Sequence, residues 1–207
     1  ALIQGVWGNG RIDSGLLVNI AEKPDGVLTA GRLDVSLRGS IILAGIVNDV
    51  EILQAAAGLP VRGLILSSIL PSLIQKAMEM RYPILVTDGF GSLPMNSAAY
   101  KLLSTNARRD VTVNAEIHDR YSGARPEVII PLPISGIPLI PREVETFAPG
   151  LQVRMRLSPA LGMIGSIVAL KPGLTRLPSG LQAPAAEVKL ENGETVIVPL
   201  INLEFMG

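Results

Sequence analysis

The sequence predicts an α/β plus all-β protein: a small parallel α/β layer, preceded by an N-terminal β region and followed by a small β-barrel. Three observations carry that prediction. Between residues 40 and 117, strands apolar on both faces alternate with short amphipathic helices, the pattern of a parallel sheet covered by helices. Residues 118–149 carry prolines at 126, 131, 133, 138, 141 and 149, which exclude a helix and leave an extended connector. Residues 150–207 alternate apolar and polar positions between turn residues, which reads as all-β.

Residues 1–39 are strand and turn material. Leu2 to Trp7 is a short apolar run closed by Gly8-Asn9-Gly10, Gly15 to Ile20 is a second strand, and Pro24-Asp25-Gly26 is a turn because Pro presets φ and Gly tolerates positive φ. The chain begins at Ala1 with strand character at once, so this region is expected to be completed by sequence upstream. From residue 40 the pattern changes. Ser40 to Gly45 and Val61 to Ser67 are continuous apolar strands, and Tyr82 to Thr87 is a third. Asn48 or Asp49 caps a helix through Leu53 to Ala57 that Gly58-Leu59-Pro60 stops. Leu70 to Met80 is helical with Pro71 in its first turn, and Met95 to Leu103 is helical with Asn96 or Ser97 as cap. Arg109 to Ile117 alternates as a half-exposed strand. The connector 118–149 is strand-like only at Val128 to Ile130 and is too apolar for a solvated linker. In the last segment, Leu151 to Leu157 and Ser166 to Leu170 are strands, Asn192-Gly193 closes a hairpin between Glu187–Leu190 and Thr195–Val198, and Pro199 to Phe205 ends the chain.

Composition narrows the chemistry. Of 207 residues, 48% are hydrophobic but only 3% aromatic, so the core is aliphatic. Lys+Arg and Asp+Glu are both 18; nucleic-acid binders are usually basic, because phosphate neutralisation drives their affinity, so such a contact requires a local patch here. The absence of cysteine excludes thiol nucleophiles, Cys-ligated metals and disulfides and leaves a cytoplasmic location as the expectation. No apolar run reaches the length of a membrane-spanning helix. A neutral, aliphatic-rich chain leaves self-association open.

The segment Gly150-Leu151-Gln152-Val153-Arg154, followed by Gly162-x-x-Gly165-x-Ile167-Val168, resembles the KOW motif of SH3-like barrels, found in NusG-type factors and some ribosomal proteins. The glycines permit positive φ and close backbone approach at a tight turn. The resemblance covers residues 150–207. It implies an SH3-like barrel that contacts RNA or the transcription and translation machinery, with Arg154, Arg156, Lys171 and Arg176 as the residues facing a nucleic acid or another partner. Ser158-Pro159-Ala160-Leu161 stands where basic or aromatic contacts are common in nucleic-acid-binding copies.

A second set of candidates lies in the α/β layer. Open α/β sheets bind ligands beyond the carboxyl ends of their strands, which here carry Gly45, Ser67, Ser68, Thr87, Asp88, Gly89 and Gly91. Small hydroxyl residues and glycines before helices suit an anion, and they equally suit capping alone. No Walker-type or GxGxxG spacing occurs, so no nucleotide or other cofactor is implied. His118, the single histidine, adjoins Asp119, an arrangement that does not build a triad. Arg108, Arg109, Arg120, Arg125 and Arg142 form the densest basic stretch, and Trp7 is the single tryptophan. The sequence thus predicts a non-enzymatic binding or scaffolding protein whose barrel docks to a protein or nucleoprotein partner. The alternative is binding of a small anionic ligand or metabolite by the α/β layer.

Overall fold

The computed structural model describes residues 1–119, 121–133, 146–157 and 159–206. Arg120, Arg142, Pro138, Pro141 and Ser158, singled out above, lie outside the described residues. The chain is mostly β, with several sheets, and it divides into two compact units, Ala1–Pro133 and Ile134–Gly207.

The first unit is built on one mixed sheet. Its strands are β1 (Leu2–Gln4), β2 (Trp7–Gly8), β3 (Ile12–Asn19), β4 (Ser40–Leu43), β5 (Ile46–Val47), β6 (Gly63–Ile69), β7 (Ile84–Phe90), β8 (Asp110–Asn114) and β9 (Glu127–Ile129). They run in the order β1-β9-β8-β3-β4-β6-β7-β2, with β5 also on β6. β3, β4, β6 and β7 are mutually parallel along this path. The outer pairs, β1 with β9, β9 with β8, β8 with β3 and β7 with β2, are antiparallel. The strands of residues 1–39 therefore enter the same sheet as those of residues 40–117. β9 belongs to it as well, although it falls inside the stretch expected to be a connector.

Alternation along buried strands sorts the core into two layers. Ile42, Leu64, Leu66, Ile84 and Val86 face one cluster with Ile52, Leu53 and Ala56 of α1 (Val50–Gly58) and Ala77 of α2 (Ile74–Glu79). Ile41, Leu43, Ile65 and Leu85 face the other, with Ala99 and Leu103 of α3 (Ser97–Thr105). The helices start where their caps dictate. Asp49 accepts from Glu51 N, and Asn96 accepts from Ala99 N at 2.9 Å. The expected Leu70–Met80 helix is divided: Pro71–Leu73 is a 3₁₀ turn and only Ile74–Glu79 is α.

The second unit holds an antiparallel five-stranded sheet of β10 (Gln152–Met155), β11 (Ile164–Leu170), β14 (Ala185–Leu190), β15 (Thr195–Pro199) and β16 (Leu203–Phe205). A separate hairpin consists of β12 (Thr175–Arg176) and β13 (Gln182–Ala183). The order is β15-β14-β11-β10-β16, so the last strand returns to pair with the first. Val153, Met155, Ile167, Ala186, Val188, Leu190 and Leu203 form its core. Gly165 lets β11 pass close to β14: a Cβ there would lie 2.7 Å from the Lys189 carbonyl oxygen, closer than any side chain tolerates.

Candidate functional site

The parallel strands do bring the predicted ligand residues together, and their polar groups are largely consumed by the chain itself. β6 and β7 pair Leu66 with Val86 and then Ser68 with Gly89, so Ser67 lies opposite the extra residue of a bulge formed by Thr87 and Asp88. Ser68 Oγ donates to the Leu93 carbonyl and accepts from Leu93 N, both at 3.0 Å. Thr87 Oγ1 lies 3.1 Å from the Leu66 carbonyl and 2.7 Å from Asp88 Oδ2, two acceptors for its proton.

Asp88 occupies the position an anionic ligand would take. Its Oδ2 accepts from Asn96 N at 3.1 Å and its Oδ1 from Asn96 Nδ2 at 3.0 Å, directly before α3. The Asn96 side chain is thereby aimed at Ala99 N. A carboxylate at a helix start stabilises both the free N–H groups and the helix dipole. Asp49 does the same at α1. Asp88→Ala is expected to cost about 1–2 kcal/mol, the worth of a cap with its charge-assisted bonds, read as a lower urea midpoint at unchanged slope.

The glycines are likewise structural. Gly45 is buried between β4 and β5 and gives its carbonyl to Ser67 N at 3.1 Å. Gly89 and Gly91 have φ of +145° and +98°, which L side chains rarely adopt, and Gly91 N donates to the Ile69 carbonyl at 2.9 Å. One polar group of the set stays unused: Ser67 Oγ is fully buried and has no hydrogen-bond partner among the described residues. The sequence marks Asn96 only as a helix cap. Its link to Asp88 spans the turn after β7.

Arg154, Arg156 and Lys171 of the basic set are drawn into ion pairs. Arg154 on β10 is opposite Glu204 on β16; its Nε and Nη2 lie 2.9 and 2.7 Å from Glu204 Oε2, and Arg156 Nη1 lies 3.3 Å from the same oxygen. The Arg154 side chain is only 7% exposed. Lys171 Nζ bonds Glu187 Oε2 at 2.5 Å. Arg176 is exposed on the β12–β13 hairpin. Arg154 pairs with Ile164 at the start of β11, whereas Lys171 follows its last residue. At about 3.3 Å per strand residue that separates their backbones by roughly 20 Å, too far for one compact patch.

Elsewhere in the first unit, Trp7 packs against the core and His118 is exposed. Two hydrogen bonds from its neighbours, Tyr121 N and then Ser122 Oγ, hold the Asp119 carboxyl below its ordinary range. A surface groove of about 450 Å³ is lined by Gly10, Arg11, Ile12, Asn114, Glu116 and Ile117. Nothing in the sequence pattern marked it, since its walls come from the ends of β3 and β8, joined only by long-range pairing. Among the described residues no group of three or more His, Cys, Asp or Glu is arranged to hold a metal, and no helix is long and apolar enough to cross a membrane.

No family model, no curated protein and no solved structure matches this chain.

Proposed function

We propose that this chain is a non-enzymatic binding or scaffolding protein whose second unit, read as an SH3-like barrel, docks to a protein or nucleoprotein partner. The strand order supports the barrel reading: four consecutive antiparallel sheet strands, a 3₁₀ turn at Leu200–Asn202, and a last strand that returns to the first. The observation that carries the docking reading is the β12–β13 hairpin. It presents Leu174 and Leu181 at 65% and 69% exposure, large apolar side chains on a hydrogen-bonded support, as protein-binding surfaces do. Arg154, Arg156 and Lys171 already have carboxylate partners, which favours a protein contact over direct phosphate binding. The absence of cysteine fits a reducing, cytoplasmic setting.

The test is a pair of titrations on the full chain. Structured RNA and duplex DNA at low salt are expected to bind weakly and alike for wild type and Arg176→Gln. Site-directed photo-crosslinking from position 181, in extract of the source cells, is expected to give RNase-resistant adducts that Leu174→Asp removes. RNA binding that Arg176→Gln abolishes, or crosslinks indifferent to Leu174, would overturn the reading.

A second reading, a small anionic ligand or metabolite at the carboxyl ends of β4, β6 and β7, is favoured by the unpartnered Ser67 hydroxyl. A rise in melting temperature with phosphates or organic acids that Ser67→Ala abolishes would support it.

A further inference from the structure

β15 is the outer strand of the five-stranded sheet, and its free edge is unusual in what it lacks. Leu190 N donates to the Glu194 carbonyl and Leu200 N to the Pro184 carbonyl. In an antiparallel ladder the hydrogen-bonded pairs alternate, so Val196 and Val198 face β14, at Val188 and Ala186. Thr195, Ile197 and Pro199 therefore turn their backbone groups outward. Among the described residues no hydrogen bond engages the Thr195 or Ile197 N–H. The strand reads Thr-Val-Ile-Val-Pro, without the charges that usually guard an edge. Ile197 is 48% exposed at its centre, and Ile201 just beyond it is 89% exposed.

We infer that β15 is a self-pairing edge, which joins a second copy of this chain by antiparallel addition of β15 to β15. The chemistry selects this occupant. A two-fold axis through Ile197 makes Ile197 a hydrogen-bonded pair with its own copy, each N–H donating to the other carbonyl. The same axis sets the Thr195 N–H opposite the Pro199 carbonyl of the other copy, so the missing proline N–H falls at the rim. Two identical strands meeting by symmetry suffer from any charge near the axis, because it faces its like. Here none does: within the strand Thr195 meets Pro199 of the other copy and Val196 meets Val198. Ile197, half exposed at the strand's centre, is the side chain the pairing covers. This pairing uses a different edge from the β12–β13 hairpin and stands or falls independently of the docking proposal.

The test uses the full chain in sedimentation equilibrium across about 1 to 500 µM, the range in which an interface of strand size assembles. Wild type is expected to pass from monomer to dimer. Ile197→Pro deletes only an outward N–H, a substitution that edge strands accept, and Ile197→Lys sets like charges against each other at the axis. Each is expected to raise the dissociation constant at least tenfold while far-UV circular dichroism is kept. Leu174→Asp, on the docking hairpin, is expected to leave dimerisation unchanged. A wild type monomeric throughout, or an Ile197→Pro chain that stays folded and dimerises as wild type does, would overturn the inference.

Discussion

Gly45→Ala is expected to unfold the first unit or to cost at least about 3–5 kcal/mol, at the far end of what single substitutions do. A Cβ at residue 45 would lie 1.8 Å from the Gly26 carbonyl oxygen and 2.8 Å from the Gly26 carbonyl carbon. Both are backbone atoms, so no rotamer change relieves the clash. The Gly26 segment cannot retreat, because its carbonyl accepts from Ile46 N at 2.8 Å and Leu28 N donates to the Ile46 carbonyl at 2.9 Å. Those bonds dock the loop after β3 onto β5, beside the buried Leu28. Gly58→Ala is the control: it closes α1 with nothing within 4 Å of the added methyl, and is expected to be neutral or to stabilise by about 0.5–1 kcal/mol. Chemical denaturation of the two variants beside wild type checks both.

Asn9→Ala is expected to cost roughly 3–5 kcal/mol. Asn9 is 3% exposed. Its Nδ2 donates to the carbonyls of Ala77 at 3.1 Å and Tyr82 at 3.0 Å, and its Oδ1 accepts from Ile84 N at 3.0 Å. One side chain thus satisfies backbone groups at the end of α2, in the turn that follows and at the start of β7. Alanine leaves the Tyr82 carbonyl and the Ile84 N–H buried and unpaired, at about 1–3 kcal/mol each before relaxation, while the Ala77 carbonyl keeps its bond from Met80 N at 3.2 Å. Asn9→Asp is expected to do no better, since it removes both donors and buries a charge. Amide exchange should localise the loss, with protection at Ile84 falling well before that at Val188 of the second unit.

These residues show where the sequence could be read and where it could not. Elements whose cause is local were legible. Asp49 and Asn96 cap helices through bonds to amides two and three residues on, and Asn192-Gly193 turns the chain between adjacent strands. Features made by distant pairing were not. β1 reads as a strand on its own, yet its partner is β9, with Leu2 opposite Ile129, and no local pattern encodes that choice. The same holds for Gly45, whose constraint is a passing peptide at residue 26, and for Asn9, which sits in what reads as a plain Gly-Asn-Gly turn. At the candidate sites the residue types were legible and their partners were not. Arg154 reads as an exposed cation on an alternating strand until β16, fifty residues on, brings Glu204 against it. Asp88 reads as a residue waiting for a ligand until Asn96, eight residues on, donates to it through both its backbone and its side chain.

On the proposed reading, the second unit engages a protein through apolar side chains on the β12–β13 hairpin while Arg154, Arg156 and Lys171 are paired within the fold. Photo-crosslinking from position 181 in extract of the source cells tests it most directly, comparing wild type, Leu174→Asp and Arg176→Gln. Protein adducts that survive RNase, persist in Arg176→Gln and vanish in Leu174→Asp are the predicted result. Adducts destroyed by RNase, or lost in Arg176→Gln and kept in Leu174→Asp, would contradict it.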